Sequence, residues 1–340
     1  MGVMSRETAG ALIKAAFATA DEHGAVSFAF QGGEPTVAGL DFFRDFVAMV
    51  SAFRPLDRQV SYALQTNGMA LNEEWTHFLK ENQFLVGLSV DGYRELHDHY
   101  RVDTKGEGTY GRVAKALALL QKFEVETNLL CVVTGQCAKH PQKTYASMKK
   151  LGVRYLQFIP CLDPLEEQRG RAVYSLTPKL YGDFLCGLFD QWYRDWAEGH
   201  YTSVRLFDDY VHLAMGEPAS TCAASGGCGS YFVVEADGGV YPCDFYVLDR
   251  WRMGDVHTDS LKQLANDETA SEFLRQGRLR PSRCASCRWV PLCNGGCRRD
   301  WTGGADDTEN YYCESFRRFF EYATDRIGEI AWQERRSRMR

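Results

Sequence analysis

Val26-Ser27-Phe28-Ala29-Phe30-Gln31-Gly32-Gly33-Glu34-Pro35 runs from apolar and aromatic residues straight into a polar turn. Aromatic and β-branched side chains favour a pleated, half-buried backbone, and the glycine pair followed by proline stops it. The stretch therefore reads as a strand that ends in a loop. Working outward, the same unit recurs. Apolar runs predict strands at 26–30, 60–64, 84–90, 125–133 and 155–159, and amphipathic patterns predict helices at 38–52, 73–81, 109–122 and 140–151. A further helix at 4–22 has Ser5 as N-cap and Gly24 as stop. Strands alternating with helices imply a parallel sheet, and near-continuous apolar runs imply cover on both faces.

Each predicted strand ends in polar turn residues: Gln65-Thr66-Asn67-Gly68, Ser89-Val90-Asp91-Gly92, Thr134-Gly135-Gln136 and Cys161-Leu162-Asp163-Pro164 follow the later ones. Ligands of parallel α/β folds sit at the carboxyl ends of strands, so these loops are expected to line one pocket. The chain of 340 residues is 45% apolar and 13% aromatic, enough for a packed core. Its net charge of -6 gives no sign of nucleic-acid binding. No apolar stretch reaches membrane-spanning length and the start has no apolar signal core, so no membrane association and a cytoplasmic location are expected. The basic end at 335–340 reads as a solvated helix terminus.

The second half changes texture. A long aromatic helix is predicted at 177–200 with Gly199 as stop, a boundary near 215–221, a hairpin at 232–241 and a closing helix at 314–333. Eight of the twelve cysteines lie between 222 and 313: Cys222, Cys228, Cys243, Cys284, Cys287, Cys293, Cys297 and Cys313. Two sets of four thiols suit either [4Fe–4S] clusters or structural zinc. Spacing alone leaves the choice open, although Gly226, Gly227, Gly229, Gly295 and Gly296 beside the ligands leave room for a bulky cluster. Cys131 and Cys186 read as buried thiols, Cys137 as a lone loop thiol, and Cys161 as a strand-end residue facing the pocket.

The stretches Phe28 to Thr36, Leu64-Gln65-Thr66-Asn67-Gly68, Leu156 to Pro164, Val240-Tyr241-Pro242-Cys243-Asp244-Phe245-Tyr246, Trp251-Arg252-Met253-Gly254 and Tyr311-Tyr312-Cys313 together resemble the anaerobic sulfatase-maturating enzymes. These are radical S-adenosylmethionine (SAM) proteins with a C-terminal SPASM domain. The resemblance implies an α/β fold: a partial (β/α)6 barrel, here without its first strand, over 1–165. A connecting helical region at 166–221, a Cys-rich SPASM domain with a short hairpin at 222–313 and a C-terminal helix at 314–340 follow. It implies SAM contacts by Gly33, Ser89, Arg101 and Leu162, a loop at Glu34 that shapes that site, and Asp244 as catalytic base. Cys222, Cys228, Cys243 and Cys297 would hold one auxiliary [4Fe–4S] cluster, and Cys284, Cys287, Cys293 and Cys313 the other.

The implied reaction is radical oxidation of a Cys or Ser in an unfolded sulfatase polypeptide to formylglycine. SAM is the source of the 5′-deoxyadenosyl radical, and an electron donor such as flavodoxin or ferredoxin is the partner. Gln31 and Gln65 are candidate peptide or SAM contacts. The family's Cys-x3-Cys-x2-Cys loop, which holds the SAM-binding cluster, has no counterpart here: the first cysteine is Cys131. The expectation is that this loop and the first strand precede Met1 in a longer protein, the alternative being a natural relative without that cluster. In either case the strand at 26–30 would be a sheet edge. The rival readings are another SPASM peptide-modifying maturase, and a non-catalytic iron–sulfur or peptide-binding protein.

Overall fold

The computed structural model describes residues 2–21, 24–165, 167–229, 231–303 and 308–338. Helix α1 (Arg6–Thr19) opens at Ser5, whose hydroxyl accepts the Thr8 N–H at 3.0 Å. It closes at Ala20, where the backbone turns extended, and not at Gly24; residue 22, the last of the predicted helix, lies outside the described residues. There follow β1 (Ala25–Phe30), α2 (Leu40–Phe53), β2 (Gln59–Thr66), α3 (Glu73–Glu81), β3 (Phe84–Ser89), α4 (Arg94–Tyr100), α5 (Tyr110–Lys122), β4 (Thr127–Val133), α6 (Pro141–Lys149) and β5 (Tyr155–Pro160). Then come α7 (Pro178–Ala197), β6 (Ser203–Val204) and α8 (Arg205–Ala214). The sequence reading has no counterpart for α4, β6 and α8.

The six strands lie in the order β1-β2-β3-β4-β5-β6, consecutive strands being neighbours. The pairs β1–β2, β2–β3, β4–β5 and β5–β6 are parallel, with Phe28 opposite Tyr62 and Leu64 opposite Val86. Beyond these pairs, the Val86 N–H bonds the Glu126 carbonyl and the Val90 N–H the Leu130 carbonyl, both at 2.8 Å. Among the described residues β1 has one strand neighbour, so it is the sheet edge that the sequence predicts. The expectation of cover on both faces fails for β1. Val26 and Phe28 are buried while Ala25, Ser27 and Ala29 are exposed. Small side chains, alanine and serine, occupy the open face, where the Ser61 hydroxyl donates to that of Ser27 at 3.0 Å.

The remaining elements are short until the last. They are α9 (Cys222–Ser225), β7 (Val233–Val234), β8 (Gly239–Tyr241), β9 (Gly254–Asp255), α10 (Leu261–Leu264), α11 (Glu268–Arg278), α12 (Val290–Cys293), β10 (Trp301–Thr302), β11 (Glu309–Asn310) and α13 (Cys313–Arg338). The predicted hairpin is the antiparallel pair β7–β8, with β9 added beyond it.

The chain divides into two compact units, each assembled from separated segments. The first comprises Met1–Leu88, Lys115–Thr127 and Gly227–Leu279; the second comprises Ser89–Ala114, Asn128–Gly226 and Arg280–Arg340. The first unit has a core of Ala9, Ile13 and Phe17 from α1, Val26 and Phe28 from β1, and Phe46 and Val50 from α2. Phe28 meets Phe46 edge-on at 5.2 Å, a favoured aromatic geometry. The second is built on α7, α8 and α13, where Phe189, Phe207 and Phe319 pack at 5.2–5.6 Å; of the α7 aromatics, Tyr181, Phe184, Phe189 and Trp192 are buried, and Tyr193 and Trp196 half-buried.

His97, wholly buried in the second unit, is neutral. Its Nδ1 accepts the Asp91 N–H at 3.2 Å, which leaves the proton on Nε2, 3.0 Å from the Thr109 hydroxyl. Burial pushes its pKa down to about 4, against the opposing pull of Asp91. The unfolded chain binds a proton below the ordinary value of 6.5, so this group's stabilisation is present above 6.5 and is lost as the pH falls towards 4. The expected loss is about 3 kcal/mol. Urea unfolding of the parent and of His97→Gln across that window checks it, and an equal slope in both would rule this histidine out as the cause.

Candidate active site and metal centres

The loop after β1 turns because Gly32 and Gly33 adopt the left-handed region, with φ of +86° and +49°. Glu34 then fixes it. One carboxylate oxygen accepts the Thr36 N–H at 3.1 Å, the Thr36 hydroxyl at 2.6 Å and the Thr66 hydroxyl at 2.8 Å; the other accepts the Asn67 N–H at 2.7 Å. Glu34 thus sews the ends of β1 and β2 together and holds Gly33 at the rim. Glu34→Ala is expected to cost about 2 kcal/mol, because it leaves partly buried donors unsatisfied. A thermal unfolding scan that shows no loss would refute this.

In the second unit, Ser89 ends β3 and Asp91 lies two residues beyond. Asp91 is 4% exposed. Its carboxylate accepts Arg101 Nε at 2.6 Å and the Val132 N–H at 2.9 Å. The guanidinium of Arg101, which the resemblance assigns to the SAM carboxylate, is therefore also bonded within the protein. Leu162 follows β5, half-buried beside Cys161. Burial, then the charges of Asp163 and Asp91, push the Cys161 thiol up to about 11. Cys137, read as a loop thiol, is fully buried in a short 3-10 turn.

Asp244 sits in the first unit, directly after Cys243. One carboxylate oxygen accepts the Tyr231 hydroxyl at 2.6 Å, and the other accepts Gln31 Nε2 at 3.3 Å. The Cys243 sulfur lies 3.6 Å from Asp244 Oδ1 and 3.8 Å from the Tyr231 oxygen. Burial, followed by the bond to Asp244, raises the Tyr231 pKa, so the phenol stays a donor. Burial also pushes the Cys243 thiol up to about 11. Two donors thus orient the carboxylate while it retains lone pairs for a further proton. Gln31 is singled out by the sequence. Tyr231 is not, since nothing local marks a tyrosine whose partner lies across a hairpin.

Cys284, Cys287, Cys293 and Cys313 line one cavity of about 580 Å³ in the second unit. Cys293 is the deepest: burial pushes its thiol up to about 12, with the neighbouring sulfurs adding to the shift and a bond from the Gly295 N–H opposing it. Among the described residues no three of the eight sulfurs lie within 4.8 Å of one another. Four thiolates on one zinc at 2.3 Å would be about 3.8 Å apart. The donor set is all sulfur, which suits the thiolate ligation of a [4Fe–4S] cluster.

Glu309, Cys313 and Glu314 do converge, but both carboxylates are paired with Arg283. In the first unit Cys228 and Cys243 border the aromatic cluster of Tyr246, Trp251 and Phe273. A Cβ on Gly277 would come within 2.6 Å of the Cys228 sulfur, so α11 approaches only through a glycine. Cys222 and Cys297 belong to the second unit. Cys222 opens α9, capped by Thr221. Asp209 of α8, 1% exposed, accepts the Ser220 N–H and the Thr221 hydroxyl at 2.6 Å each. No local pattern in the sequence marks this support.

The family model "Radical SAM superfamily" matches residues 5–148, and the SPASM model, "Iron-sulfur cluster-binding domain", matches residues 226–288. The cysteine-type anaerobic sulfatase-maturating enzyme of Clostridium perfringens strain 13 is 43% identical over 332 residues, covering 97% of this chain and 89% of the relative. The chain belongs to the anaerobic sulfatase-maturating enzymes. The cysteine-type maturating enzyme of Clostridium novyi is 40% identical over 97% of this chain and 88% of its own. The serine-type maturating enzyme of Bacteroides thetaiotaomicron is 30% identical over 87% and 75%. The solved structure of native anSMEcpe with bound AdoMet and Kp18Cys peptide superimposes with a TM-score of 0.94 at 43% identity, covering 98% of this chain and 92% of that one. Membership in this maturating family makes the chain a radical SAM oxidoreductase that uses SAM and [4Fe–4S] clusters. No described helix is long and apolar enough to cross a membrane.

Proposed function

We propose that the protein converts a cysteine in an extended sulfatase segment to formylglycine. When bound, SAM would supply the 5′-deoxyadenosyl radical for hydrogen abstraction and the auxiliary iron–sulfur clusters would supply a sink for one electron. The chain's own residues do the rest. Gly33, Ser89, Arg101 and Leu162 hold SAM. Asp244 takes the proton of the substrate thiol on its carboxylate. Gln31 and Tyr231 keep that carboxylate aimed. The net change at the substrate is loss of one Cβ hydrogen, one thiol proton and one electron, which gives a thioaldehyde that water converts to the aldehyde. Cys222, Cys228, Cys243 and Cys297 hold one auxiliary cluster, and Cys284, Cys287, Cys293 and Cys313 the other. The electron donor is a flavodoxin- or ferredoxin-type carrier, and the setting is the cytoplasm.

The observation that carries this reading is the carboxylate of Asp244, held by Tyr231 and Gln31 and adjacent to the thiol of Cys243. The choice of cysteine over serine is supported by 40–43% identity to cysteine-type enzymes against 30% to the serine-type one. The test is an anaerobic assay with a Cys-x-Pro-x-Arg peptide and its serine counterpart, read by mass spectrometry. Aldehyde formation on the cysteine peptide supports the proposal. SAM consumption with a thioether cross-link, or no peptide change, overturns it.

A further inference from the structure

The segment between β5 and α7 is held by buried charge. Asp163, 4% exposed, accepts the Gly170 N–H at 3.0 Å on one carboxylate oxygen and the Ser175 hydroxyl on the other. Its backbone carbonyl accepts Arg299 Nη2 at 2.5 Å. Arg169 reaches in the opposite direction. Its Nη1 donates to Asp300 Oδ1 at 3.1 Å, its Nη2 donates to the Arg299 carbonyl, and its guanidinium lies 5.3 Å from the Tyr311 ring centre. Arg299 and Asp300 are 7% and 6% exposed. The backbone N–H of Arg299 points at the Cys297 sulfur, 3.4 Å away.

Loops normally run solvated over the surface, and desolvating guanidinium groups is costly unless their geometry is fully used. Here two arginines cross in opposite directions between the same two segments: Arg169 holds the backbone of Arg299, and Arg299 holds that of Asp163. One end of this clasp is next to Leu162. The other end donates to a sulfur assigned to a cluster, and N–H donors to such sulfurs orient ligands and tune the metal. We propose that Arg299, together with Arg169, is a positioning residue that ties the Leu162 wall of the SAM site to the thiolate of Cys297. This rests on the roles proposed above for Leu162 and Cys297. It follows that the SAM site tightens when Cys297 carries iron and loosens when the iron is removed.

The test uses the full chain, loaded anaerobically with iron and sulfide. Arg299→Met and Arg169→Met are compared with the parent, with Leu162→Ala as control. Iron and sulfide content, SAM dissociation constant, peptide KM and the sites of tryptic cutting are read for each. Both arginine variants are expected to retain iron and peptide KM. They should bind SAM about tenfold more weakly, the size of one lost charge-assisted hydrogen bond. They should also be cut by trypsin at Arg171. Chelating iron from the parent should produce the same weakening and the same cut. Unchanged SAM affinity with a protected loop overturns the proposal. So does a parallel fall in iron, SAM affinity and peptide affinity, which marks a merely structural clasp. If Leu162→Ala leaves SAM affinity unchanged, the assignment of Leu162 fails, and the tryptic cut then decides on the tie by itself.

Discussion

Asp244→Asn is expected to lower formylglycine formation by roughly 10³-fold, within the range for loss of a general base, while SAM cleavage continues. The amide keeps the shape of the carboxylate, and its oxygen still accepts the Tyr231 hydroxyl, which lies 2.6 Å from Asp244 in the parent. What disappears is the capacity to take a proton. Iron content and SAM affinity should therefore stay at parental values while 5′-deoxyadenosine accumulates without aldehyde. The measurement is the ratio of the two products in one anaerobic reaction. A variant with aldehyde yield within about threefold of the parent would remove Asp244 from the proton path, since a general base contributes far more than that.

Cys293→Ala is expected to remove about four irons per chain, because each cubane needs four thiolates. Cys293 is the most deeply placed sulfur of its set, at the end of α12, and its thiol is pushed up to about 12 in the absence of metal. A metal must displace that proton, so binding and folding are linked. Without the cluster, the segment at 284–293 loses its tie to Cys313, the first residue of α13. Several kcal/mol of stability should be lost with it. Iron and labile-sulfide assays beside thermal unfolding check both effects. Unchanged iron in the alanine variant would show that the set is wrongly composed.

Much of this molecule is legible in its residues. The main parallel strands follow from apolar runs closed by Gly, Asn and Pro, and their observed bounds lie within two residues of the reading. Short elements escape it. α4 has seven residues, including His97 and His99, and no apolar stripe of useful length. β6 has two residues and is strand only because β5 offers it backbone partners.

The eight thiols stand out through clustering, but their spacing leaves zinc and iron–sulfur open, and the family decides between them. Tyr231, Asp209 and Arg299 were invisible for a common reason. Each acts on a residue 11 to 136 positions away, and no local pattern records such a partner. Arg101 illustrates the converse: the residue was marked by resemblance, whereas its bond to Asp91 required coordinates.

The first compact unit draws on Met1–Leu88, Lys115–Thr127 and Gly227–Leu279. Its last piece leaves the ribosome long after its first, so β1 and β2 must wait through most of translation before their unit is complete. Segments that fold only after distant ones arrive are slow to form and prone to aggregate. Synthesis at reduced temperature, or with a nascent-chain chaperone in excess, should therefore raise the soluble yield more than added iron does, because iron acts only after the polypeptide is finished.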